Sequence, residues 1–63
     1  MQERIDELKS EMNEAIEEKR IIENFISEQE REIPAVVLVT LKQRIRKLNS
    51  TITCCEIRLK TYN

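Results

Sequence analysis

A single proline, Pro34, interrupts a chain that has no glycine, and on both sides of it apolar residues recur at alternating steps of three and four. Proline inside a helix costs ~3 kcal/mol and drives the residue before it out of the α region. At the start of a helix it costs almost nothing. The chain is therefore expected to form one helix over about residues 2–32, reverse over about 32–35, and form a second helix over about 35–61. The lack of glycine removes the cheap positive-φ positions that tight β-hairpins and phosphate-cradling loops need.

The first stripe runs Ile5, Leu8, Met12, Ala15, Lys19, Ile22, Ile26, Gln29 and Ile33. The second runs Leu38, Leu41, Ile45, Leu48, Ile52, Cys55, Leu59 and Tyr62. This spacing is the a/d seam of a heptad repeat. Lys19 and Gln29 are its polar breaks; Lys19 is read as laying its methylene stem along the seam with its ammonium in water. Val36, Val37, Val39 and Thr40 alone would suit a strand, yet the stripe passes through them unbroken. Seam continuity outweighs that local preference, and a frayed or 3₁₀ first turn is compatible with it.

The two stripes mirror each other through the Ile33–Pro34 bond. Folded back, Ile26 meets Leu41, Ile22 meets Ile45, Lys19 meets Leu48 and Ala15 meets Ile52. Met12 then meets Cys55, Leu8 meets Leu59 and Ile5 meets Tyr62, so one turn sets every layer. Run straight through Pro34, the second stripe would sit roughly 150° from the first. Charge favours the same fold. Residues 1–32 carry 11 acids and 5 bases, a net of −6, and residues 34–63 carry 1 acid and 6 bases, a net of +5. Glu23 with Lys42, Glu11 with Arg58 and Lys9 with Glu56 flank the seam as facing pairs, which select orientation more than they add stability. The predicted fold is all-α, an antiparallel two-helix coiled-coil hairpin in a single domain over 1–63.

A chain of 63 residues buries only ~60% of its unfolded surface, and folds of this size usually need a staple or a partner subunit. Apolar residues remain off the seam, among them Ile16, Ile21, Phe25, Val37 and Cys54, and these form the candidate partner face. The simplest partner is a second copy, giving a homodimeric four-helix bundle. Cys54 and Cys55 are adjacent, about 100° apart on a helix, and too badly placed to bridge each other. With no histidine and no Cys-x-x-Cys, they read as small semi-buried hydrophobes in a reducing compartment. No metal or cofactor is expected.

The longest apolar run, residues 33–41, contains Pro34 and Thr40 and falls far short of the ~20 residues of a membrane span. No secretory signal precedes the first helix, and the frame reads as complete and cytoplasmic. No nucleophile–base pair or pocket-forming loop is present, so catalysis is not expected. A small non-enzymatic regulator or protein–protein interaction module, of a size common in phage or plasmid genomes, is the expected function. The alternative is an RNA- or DNA-binding regulator using Lys42, Arg44, Arg46 and Lys47 on the second helix. Aromatic stacking residues for that role are nearly absent. A dimer of such hairpins resembles the plasmid RNA-binding regulator Rop in outline, a likeness of architecture without a shared motif.

Overall fold

A computed structural model describes residues 2–61 of the protein. Among them are two helices and no strand: α1, Gln2–Gln29, and α2, Ala35–Thr61. At about 1.5 Å per residue each is roughly 40 Å long. The molecule measures 46 × 14 × 13 Å, so the helices lie side by side, doubled back as a hairpin.

Both helices follow from their composition. Neither contains glycine or proline. Glu3 sits in the first turn of α1, and Arg58 and Lys60 in the last turn of α2, where each charge complements the helix dipole. The β-branched start of α2 is regular helix. There the Thr40 hydroxyl donates to the Val36 carbonyl at 2.9 Å, a hydroxyl-to-backbone bond that this residue type makes readily within a helix.

The connection takes residues 30–34 rather than 32–35, because α1 stops three residues earlier than its stripe alone implies. Pro34 bars Ile33 from the α region, so the last turn must unwind before it. Helices often close on a left-handed glycine, but this chain has none, and no described residue has positive φ. The Gln29 carbonyl instead accepts two amides, from Glu32 at 2.9 Å and Ile33 at 3.1 Å, a tightening that satisfies one terminal carbonyl twice. The Pro34 carbonyl then accepts the first bond of α2, from the Leu38 amide at 3.0 Å. Proline lacks an N–H, and here none is needed.

Burial follows the stripes. Leu8, Ala15, Leu48 and Cys55 are each no more than 5% exposed. Ile5, Met12, Lys19, Ile22, Ile26, Ile33, Leu38, Leu41, Ile45, Ile52 and Leu59 are half-buried, while Gln29 is exposed. Tyr62, the expected partner of Ile5, lies outside the described residues. The four deepest side chains all sit in layers away from the turn. Among the described residues, six of the seven exposed large apolar side chains lie between Ile16 and Val39, in the turn half. Among the described residues, the hairpin is driest in its middle layers and wettest, for its apolar content, at the bend.

Candidate interaction surface

At about 100° per residue, every seventh residue beside the seam falls in one row. On α1 one such row holds Arg4, Glu11, Glu18 and Phe25, and on α2 the matching row holds Val37, Arg44, Thr51 and Arg58. The antiparallel hairpin sets these rows side by side on one broad face. Glu18 and Thr51 are the residues outside the stripes that become half-buried, and both belong to these rows.

Two grooves open on that face, joined by a bridge. Near the open end, a groove of about 370 Å³ is lined by Glu11, Lys47, Ser50, Thr51, Cys54, Cys55 and Arg58. At the turn, a groove of about 240 Å³ is lined by Phe25, Gln29, Glu32, Ile33, Pro34 and Val37. Between them Arg44 reaches across from α2 to Glu18 on α1. Its Nε donates to Glu18 Oε2 at 2.5 Å and its Nη2 to Oε1 at 3.1 Å. Two parallel bonds of this kind fix direction as well as contact. They hold the Glu18 carboxyl below the ordinary carboxylate range, first through the hydrogen bond to Arg44, and push the Arg44 guanidinium further up. On α1 alone, Arg20 pairs with Glu17 one turn away and lowers that carboxyl in the same manner.

The facing pairs read from the sequence fare differently. Among the described residues, Glu23–Lys42, Glu11–Arg58 and Lys9–Glu56 do not close to ion-pair distance, and the bridge between helices is Glu18–Arg44. The planar fork of Arg44 spans the gap to Glu18, whereas the ammonium groups of Lys9 and Lys42 are as well solvated in open water. Arg58 does not close on Glu11, so reach and not residue type alone selects the pair. This bridge was not anticipated. Its signal was available, since both residues lie in the row beside the seam on the same side.

Of the candidate partner residues, Ile21, Phe25, Val37 and Cys54 lie on this face and are exposed. Phe25 and Val37 line one groove together, at 48% and 42% exposure. Ile16 does not join them: nine residues before Phe25, it points half a turn away. Cys55, by contrast, is buried within the seam. Its thiol is pushed up, chiefly by burial and then by the nearby Glu11 carboxylate, with Arg58 opposing. That raised thiol is a poor nucleophile at neutral pH.

The four bases considered for nucleic acid wrap around α2 rather than sharing a face. Lys42 and Arg46 project to one side, Arg44 and Lys47 to the other. Arg44 is already held by Glu18, and Lys47 shares its groove with Glu11. Among the described residues, no three potential metal-ligating side chains converge, and no helix is long and apolar enough to cross a membrane. Compared with known proteins, the chain matches no family model, no curated protein and no solved structure.

Proposed function

We propose that the protein is a small non-enzymatic interaction module that works as a homodimer of helical hairpins, two copies closing into a four-helix bundle. The observation that carries this reading is the grooved face, where exposed Phe25 and Val37 meet in one cavity beside an ordered charge bridge. Exposed apolar surface framed by charge is what a docking surface requires. Surface area adds weight. The chain keeps 5201 Å² accessible, whereas a compact chain of 7.5 kDa would keep roughly 4,200 Å². A lone hairpin therefore buries less than its mass allows, and a partner supplies the rest. The remaining charged flanks suit the bundle to dock on a larger protein.

A nucleic-acid regulator has less support, because the basic residues are dispersed and two of them have carboxylates nearby. Phosphate binding would have to displace those acids. The test is sedimentation equilibrium at micromolar concentration on the wild-type chain and on Phe25→Asp. The reading expects a wild-type dimer that the aspartate converts to monomer. A wild-type chain that is helical by circular dichroism yet purely monomeric would overturn it.

A further inference from the structure

Building on that dimer reading, we propose that the two copies pair through the grooved face about a two-fold axis running along the rod, so that both turns lie at the same end. Two isologous ways exist to stack one hairpin flat on another. If the axis crosses the rod, each α1 lies on the partner's α1, each α2 on its α2, and the turns point in opposite directions. If the axis runs along the rod, each α1 lies on the partner's α2 and the turns coincide. The face distinguishes them twice.

Charge is the first discriminator. On this face α1 and its turn present Glu7, Glu11, Glu14, Glu18, Glu28 and Glu32, against Arg4 as the base. On the same face α2 presents Arg44, Lys47 and Arg58 and no acid. The crossed axis sets the two carboxylate rows against each other, a like-charge juxtaposition that suppresses pairing. The lengthwise axis sets each acidic row on a basic one at matching height. Every helix is then flanked by helices of the opposite sign.

Apolar shape is the second. The groove at the turn is lined by Phe25, Ile33, Pro34 and Val37 beside Gln29 and one charge, Glu32, whereas the groove at the open end carries three charges, Glu11, Lys47 and Arg58, beside Cys54 and Cys55. With coincident turns, the two less charged grooves close on one another and cover Phe25. With opposed turns, Phe25 of each copy faces the groove that holds Glu11, Lys47 and Arg58, and an apolar ring supplies no partner for those charges as they lose water. The driest end of such a bundle would be the one the single hairpin leaves wettest.

The experiment is a spin-label distance between copies, with one label per chain at Ala35→Cys in a Cys54→Ser, Cys55→Ala background. Neighbouring helices of a bundle lie about 8–10 Å apart, so labels at coincident turns fall within roughly 30 Å. Opposed turns separate them by about the rod's length, 46 Å. A label at Lys60→Cys, at the far end, gives the same readout independently of any change at the turn. A dimer with both distances short is the expected result. A dimer with both distances long overturns the arrangement while leaving the dimer standing. A chain that stays monomeric by sedimentation with wild-type helicity overturns the dimer and this arrangement together.

Discussion

Leu48 and Val36 show how position, rather than residue type, decides what a side chain contributes. Leu48 is 5% exposed on the seam and Val36 is 74% exposed on the outer side of the same helix. Truncating a buried leucine removes its transfer free energy and leaves a cavity that a thin two-helix seam can only partly close. Leu48→Ala should cost about 2–3 kcal/mol, and Val36→Ala less than about 0.5 kcal/mol, both read from urea unfolding. Equal losses at the two sites would mean that the stripe is not the core. The stripe was legible because three-four spacing has one meaning on a helix. The adjacent cysteines illustrate it too, Cys55 falling on the seam and buried while Cys54 is exposed. Glu18–Arg44 was harder to see. Several acid–base pairings across an antiparallel seam are compatible with one register, and side-chain reach, not spacing, selects among them.

Between the elements, Pro34 gave the reversal, yet not the residue where α1 ends. That depends on how the terminal carbonyls are satisfied, and the shared Gln29 carbonyl is a local solution with no sequence marker of its own. The Glu18–Arg44 bridge ties α1 to α2 outside the seam among the described residues, and this makes a pH prediction. The folded Glu18 carboxyl ionises below its ordinary value, so the unfolded chain takes up protons first as pH falls. The bridge's stabilisation is present above about pH 4.3, the ordinary glutamate value, and is lost as pH drops through the lower folded value. Glu17, lowered by Arg20, acts in the same direction. Thermal melts from pH 6 to pH 3 should show the wild type losing more stability than Glu18→Gln. Parallel curves for the two chains would show that the bridge contributes nothing in solution.

At the scale of the whole molecule, an acidic limb and a basic limb lie along one another with a core too thin to cover its own bend. The hairpin itself was readable, since mirrored stripes and opposite charges agree on one topology. The face was only half readable: nine-residue spacing on α1 alone separates Ile16 from Phe25, but the grooves and the charge bridge that shape the face depend on where the side chains of both helices reach. The doubled-back path is tested most directly by labels at Glu3→Cys and Lys60→Cys in one chain, in the Cys54→Ser, Cys55→Ala background. Dilution into excess unlabelled protein confines the measurement to a single molecule. Folding back at Pro34 predicts one distance under about 25 Å, the two ends lying level on neighbouring helices. A distance near 85 Å, which 57 residues of uninterrupted helix would span at about 1.5 Å each, would contradict it.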